Sequence, residues 1–251
     1  MQTLCIWSDI AAYSGASFSN ERHSHFLTQL CLGVDAPLRL RGRNGQWREY
    51  EAALVPSGIS HETFKSPHRF ILILFDPLTI GANLFAERVI VEGDPAIDVS
   101  DAVGAREIQS IAETLAKATQ RSKQEILQIL HWHKKTATER SIDARIAASI
   151  DKIASENASL AEMAKSAGLS LSRFRHLFRD ETGIAVSGYK VWTKTRKAIR
   201  LLGERPELAQ AAYLGGFADQ AHFSRIFRRS FGMSPSQFKN HEAFQLKIFQ
   251  E

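Results

Sequence analysis

Residues 168–183 read GLSLSRFRHLFRDETG, and residues 216–232 read GFADQAHFSRIFRRSFG. From Arg173 onward the two stretches superpose at one fixed offset. Phe174 falls on Phe223, Leu177 on Ile226, Phe178 on Phe227, Arg179 on Arg228 and Gly183 on Gly232, and further along Tyr189 falls on Phe238. Upstream of Arg173 the second stretch carries one extra residue. A small helical unit repeated in tandem, with a basic and polar face on each copy, is the layout of a double DNA reader.

Each copy resolves into two short helices. Leu160, Met163 and Ala164 are apolar at helical spacing. Gly168 accommodates the left-handed turn that ends that helix, and Ser170 stands where an N-cap belongs. The next helix puts Phe174, Leu177 and Phe178 on one face. Ser172, Arg173, Arg175, His176 and Arg179 occupy the rest of its surface. In the second copy Ala211 and Ala212 permit close packing, Gly216 turns and Asp219 caps. Phe223, Ile226 and Phe227 point inward, while Gln220, His222, Arg225 and Arg229 point out. Two helices joined by a glycine turn form a helix-turn-helix, whose second helix enters the major groove. A single such pattern also describes an ordinary solvated helix; two in register favour DNA.

With these motifs in hand, the segment from about Ile142 to Phe238 resembles the AraC/XylS family of bacterial transcription regulators. The resemblance rests on GF at 216–217, F-x-R-x-F at 223–227 and FG-x-SP-x-x-F at 231–238. One departure lies in the first copy, where Ala185 and Val186 replace the Ser-Pro that the second copy keeps at Ser234 and Pro235. The change is expected to loosen the start of the following helix without removing the first reader.

Between the copies, Ser187 to Leu202 reads as one helix, with Tyr189, Trp192, Ala198, Leu201 and Leu202 apolar and Lys190, Lys194, Arg196, Lys197 and Arg200 charged. Sixteen residues span about 24 Å. With half a domain at each end, that sets two recognition helices about 34 Å apart, one duplex turn. The family resemblance implies the same reading of two adjacent major-groove segments. Ser172, Arg175 and His176 in the first copy, and Gln220, His222 and Arg225 in the second, are the expected base readers, since Arg grips guanine and Gln adenine through paired bonds. Arg179, Lys194, Arg228 and Arg229 are expected on phosphates.

Charge follows the same division. From Ser141 onward there are 17 Lys and Arg against 11 Asp and Glu, and the remainder holds 15 against 16, so the excess of +5 arises in the DNA-reading half. Such charge supplies affinity that falls with salt. The length of 251 residues suits two domains. No stretch can span a membrane as a helix, because the densest apolar run, FILILF at 70–75, is far short of about 20 residues. The N-terminus lacks the basic start of a secretory signal, the first cation being Arg22. Cys5 and Cys31 have no ligand spacing. Buried reduced thiols in a cytoplasmic protein are expected, with redox sensing as the sharper option.

The first seventy-five residues read as strands. Leu38 and Leu40 alternate with Arg39 and Arg41, Asn44-Gly45 signals a hairpin, and Tyr50–Val55 and Phe70–Phe75 flank a Pro-Ser-Gly turn at 56–58. Short strands at regular spacing indicate a barrel or jelly roll. Val103–Ala116 and Ile126–Trp132 then turn helical. The expected organisation is a sensor barrel over residues 1–78, a helical connector serving packing or dimerisation over 79–140, with its boundary near Lys134 to Arg140, and an all-α DNA-binding domain over 141–251.

His23-Ser24-His25, then Gln29, then PSGISH ending at His61, resemble the two motifs of the cupin fold. That resemblance implies a divalent transition metal held inside the barrel by His23, His25 and His61, with Gln29 as the fourth ligand where cupin enzymes carry Glu. A neutral amide is a poorer ligand and leaves less negative charge on the site. The competing reading makes these histidines the polar lining of a small-molecule pocket. His68 is a further candidate without distinguishing spacing, and His131 and His133 do not share a helical face. Arg39, Arg41, Arg43 and Arg48 around the hairpin either attract an anionic effector or protect an edge strand, the second being favoured.

The expected function is a sequence-specific, cytoplasmic transcription regulator, non-enzymatic, whose cupin-like domain senses a small molecule or metal. Its partners would be promoter DNA, the effector, RNA polymerase if it is an activator, and a second copy as a homodimer. The alternative is a metal-dependent cupin enzyme with a DNA-binding C-terminal domain. Gln29 and the absence of an acid–base pair near the histidines count against it. A DNA-repair methyl acceptor would need an activated cysteine cluster, and a purely architectural DNA binder would need no sensor.

Overall fold

The computed structural model describes residues 2–16, 21–76, 94–130, 142–155, 158–182, 184–203, 207–239 and 244–249. Alternating apolar residues fold the N-terminal part into two facing sheets. The larger runs β10-β1-β2-β8-β3-β6-β9, from β1 (Gln2–Ile6), β2 (Ile10–Ala16), β3 (Thr28–Gly33), β6 (Ala52–Val55), β8 (Arg69–Phe75), β9 (Ile97–Asp98) and β10 (Phe244–Ile248). The smaller is β5-β4-β7, from β4 (Leu38–Arg41), β5 (Trp47–Tyr50) and β7 (Glu62–Thr63). Leu38 and Leu40 point inward and Arg39 and Arg41 outward, as their alternation requires. Gly45 takes φ +77° in a hairpin loop wider than two residues.

The single strand expected over Tyr50–Val55 is divided at Glu51. Tyr50 closes β5 in the small sheet, and Ala52 opens β6 in the large one, so the chain passes between layers there. One face of the large sheet carries Cys5, Trp7, Leu30, Leu32, Ile71, Ile73 and Phe75. Against it pack α1 (Ala105–Lys117) and α2 (Ser122–Ile129), through Ile108, Ile111, Leu115 and Ile126. The region drawn as a connector thus covers the outer face of the sheet and adds β9 to its edge. The expected limits at residue 78 and at Lys134–Arg140, together with His131, Trp132 and His133, lie outside the described residues.

The helical part begins with α3 (Ala144–Ser155). The first unit is α4 (Leu160–Ser166) and α5 (Leu171–Thr182); Ser159 and Glu162 form a capping box, and Ser170 Oγ accepts from Arg173 N at 3.3 Å. The linker α6 runs Val186–Gly203, eighteen residues or about 27 Å. Its start, lacking Ser-Pro, is anchored by the buried Val186. The second unit is α7 (Leu208–Leu214) and α8 (Gln220–Phe231), where Asp219 caps His222 N at 2.6 Å, followed by α9 (Pro235–Lys239). Gly168 and Gly216 turn at φ +65° and +90°, a backbone that glycine adopts without strain. Gly183 and the side chain of Phe238 lie outside the described residues.

The two parts share packing. The inner face of β1 and β2, through Leu4, Ile6 and Ala11, meets Ala198, Ile199, Leu202 and Phe227 of α6 and α8. β10, from the far end of the chain, lies parallel to β1.

Candidate functional site

Both recognition helices keep their polar faces outward. On α5, Phe174 and Phe178 are fully buried, whereas Ser172, Arg173, Arg175, His176 and Arg179 are exposed. On α8, Phe223 and Phe227 are buried, and Gln220, Arg225, Arg228 and Arg229 are exposed. His222 is half-buried, its ring edge-on to Phe217 at 5.4 Å. Lys194 is also half-buried, beside the Gly216 turn rather than on a recognition helix. Arg228 pairs with Glu21 of the N-terminal part at 2.7 Å, so one expected phosphate contact is engaged within the chain.

The barrel gathers His23, His25 and His61 as the motifs require. Their ligand atoms lie within 4.8 Å of one another, and all three residues are buried. Backbone pairing of His23 with His61, two bonds of 2.9 Å, sets the rings side by side. Each Nδ1 meets a carbonyl: His23 that of Glu21 at 2.9 Å, His25 that of Leu27 at 2.8 Å, His61 that of Ile59 at 3.0 Å. A carbonyl only accepts, so each Nδ1 carries the proton and each Nε2 presents a lone pair. Burial lowers the pKa of all three, that of His23 to about 4 with His25 adding to the effect. His61 Nε2 is buried without a hydrogen-bond partner. His25 Nε2 faces Gln29 Oε1 at 2.8 Å, and Gln29 Nε2 donates to Cys31 Sγ at 3.0 Å. Two acceptors thus meet at hydrogen-bond distance, which is stable with a cation between them or with the amide turned over. His68 is exposed and outside the group.

Next to the histidines opens a cavity of about 130 Å³; a pocket lined by them was one of the two sequence readings, but the part that α6 and α8 take in its wall was not foreseen. His23, His25 and Gln29 stand on its barrel side, and Trp192, Arg196, Ile199 and Phe227 come from α6 and α8. The helical half therefore contributes part of the cavity wall. Arg196 donates to Asp76 Oδ2 at 3.2 Å and to the Ser8 carbonyl at 3.0 Å. The i, i+4 pair Trp192 and Arg196 is the only sequence trace of this junction, and it is indistinguishable from an ordinary amphipathic stripe. Of the hairpin arginines, Arg41 pairs with Glu62, Arg48 with Asp94 and Arg39 with Glu49, and Arg39 and Arg41 stand on β4, the middle strand of the small sheet, rather than on the edge strand that the protective reading needs.

A helix-turn-helix domain family matches residues 163–241. The arabinose operon regulatory protein of Escherichia coli is 38% identical over 90 residues, 36% of this chain and 31% of that protein. The probable transcriptional regulator LumQ of Photobacterium leiognathi is 39% identical over 82 residues, 32% of this chain and 33% of that protein. A helix-turn-helix domain thus occupies residues 163–241. The chain spans about a third of the length of these curated relatives. Over the whole molecule, the fold is that of ToxT from Vibrio cholerae: an apo variant superposes with TM-score 0.60 at 12% identity, covering 92% of this chain and 97% of that one. Wild-type ToxT with an unsaturated fatty acid bound superposes at 0.55, 14% identical, covering 92% and 94%. The expected architecture, a β-rich N-terminal domain before a helical DNA-reading domain, is the one observed. Among the described residues no helix is long and apolar enough to cross a membrane.

Proposed function

We propose that this chain is a sequence-specific, cytoplasmic transcription regulator and not an enzyme, and that α5 and α8 read two segments of promoter DNA. The observation that carries the proposal is the pair of recognition helices whose apolar faces are buried while Ser172, Arg175, His176, Gln220 and Arg225 stay exposed. The test is selection of binding sites from random duplexes by the full chain, compared with a His222→Ala, Arg225→Ala variant. Site preference is expected to vanish before general affinity, with each base-reading contact worth about 1–3 kcal/mol. Retention of full specificity by the double variant refutes the assignment of the second reader.

The effector site of this reading is the cavity between barrel and helices, because an occupant there touches both parts. A ligand shifts an equilibrium only by binding one arrangement better than another. ToxT with a fatty acid bound shares the fold, which supports an organic effector here.

The residues also fit a divalent transition metal, which would supply a buried positive centre. Three neutral imidazoles offer Nε2, each oriented by a backbone carbonyl through Nδ1, the arrangement of metal-ligating histidines. Gln29 Oε1 stands beside His25 Nε2 as a fourth donor. No carboxylate joins the three histidines among the described residues. Elemental analysis of untagged protein decides it: one equivalent of metal is expected, lost in the His25→Ala, His61→Ala variant. Absence of metal after supplementation makes the histidines pocket lining.

A further inference from the structure

The histidine cluster and the junction cavity form one continuous site. His23, His25 and Gln29 belong to the cavity wall. An ion held there would border a cavity that Ile199 and Phe227 also line. We propose that the cavity takes a compact, mainly apolar molecule with an anionic oxygen head, and that the head binds the metal directly. This rests on the metal reading above and names the chemistry of the effector.

Charge requires such a head. Three neutral imidazoles and a neutral amide leave a divalent ion uncompensated, and no carboxylate completes the group among the described residues. A buried, unbalanced charge is costly, and a phenolate, catecholate or carboxylate oxygen offsets it. The other cation on the cavity wall, Arg196, is already matched by Asp76, 1% exposed, and by the Ser8 carbonyl, so an anionic head gains less there. With three histidines and Gln29 as donors, the external oxygen would take a fifth position, an expansion that such metal sites allow.

Shape and lining specify the body. Leu4, Leu72, Leu74, Ile199 and Phe227 give it apolar walls. A cavity of about 130 Å³ compares with the about 150 Å³ apolar cavity that accepts benzene, so the body is about one ring in size. Because its head sits on residues of the N-terminal part and its body reaches Ile199 of α6 and Phe227 of α8, the occupant reports on the junction itself.

The test uses the full chain loaded with Co(II) and reads its visible absorption. Catechol and benzoate are the probes, and toluene is the headless control. Both anionic probes are expected to change the Co(II) bands saturably, toluene is not, and the metal-free protein should bind catechol about tenfold more weakly or worse. Ile199→Phe, or Leu74→Phe should the first disturb packing, is expected to keep the Co(II) bands and lose the response. Unchanged bands at millimolar probe, equal catechol affinity with and without metal, or catechol merely stripping the ion each overturn this inference while leaving the metal reading intact. Failure to take up Co(II) overturns the metal reading, and this inference with it.

Discussion

Arg196, midway along the linker helix, donates to Asp76 at the end of β8 across 3.2 Å, and Asp76 is 1% exposed. Trp192 Nε1 donates to the same Oδ2 at 3.0 Å. One buried carboxylate thus ties the helix between the two readers to the strand that crosses the barrel. Removing one partner of a buried pair leaves a charge poorly compensated. With Arg196 partly exposed, Arg196→Met is expected to cost about 2–3 kcal/mol, at the low end of that range. Calorimetry should show the barrel and the helical part melting separately in the variant. A melting profile identical to that of the parent chain would falsify the role of this contact.

Glu21 holds Arg228 at 2.7 Å on the outer side of α8, and both side chains are more than half exposed. An exposed pair is worth at most about 1 kcal/mol, so a phosphate can displace Glu21. Glu21→Ala should therefore raise DNA affinity by about two- to fivefold and steepen its salt dependence. Titration of a labelled duplex at several salt concentrations checks this. If Glu21→Ala acts equally in an Arg228→Ala background, the contact is not the cause.

The helical part was legible because its signals are local. Gly168, Ser170, Gly216 and Asp219 punctuate the chain within a few residues of the helices they bound. The histidine motif was legible from its spacing alone; in the structure His23 and His25 precede β3 rather than alternating on a strand, and an isolated bridge sets His61 beside His23. The junction that completes the cavity was not legible. It depends on Asp76 meeting Arg196 and on Ile6 meeting Phe227, pairs far apart in sequence whose types are ordinary for surface and core. The change of sheet at Glu51 was hidden by an apolar run that continues through it. β10 was missed although Phe244, Leu246 and Ile248 alternate, because a five-residue strand at a chain end has no neighbouring turn to frame it.

Gly203 ends the linker helix against β10. A Cβ placed there would lie 1.9 Å from Ile248 Cδ1, so any larger residue must displace that side chain. β10 is held otherwise by its pairing with β1 and by Phe249 stacking on Trp7 at 5.2 Å. Gly203→Leu is expected to loosen the strand, accelerating amide exchange in β1 by about tenfold or more while leaving β3 and β8 protected. Equal protection of β1 in both proteins would show that the strand tolerates the bulk.

Burial acts on the acidic groups of the barrel and linker in one direction. It pushes the thiols of Cys5 and Cys31 up to about 11 and about 12, with Lys247 and Gln29 respectively opposing. It also pushes the phenols of Tyr13, Tyr50 and Tyr189 up to about 12. In each case the folded chain holds a proton that the unfolded chain releases at lower pH. The stability from these groups is intact below about pH 9, where the unfolded thiols begin to ionise, and declines as pH climbs toward 11 and 12. The melting temperature should therefore be flat from pH 7.5 to 8.5 and fall steadily above pH 9. Since the thiolate is the reactive form, neither cysteine should react quickly with a thiol reagent at pH 8 in the native protein, and both should react once the chain is unfolded. A fast-reacting thiol in the folded chain would reopen redox sensing, because it would mean that one of these cysteines reaches solvent in a state the barrel visits.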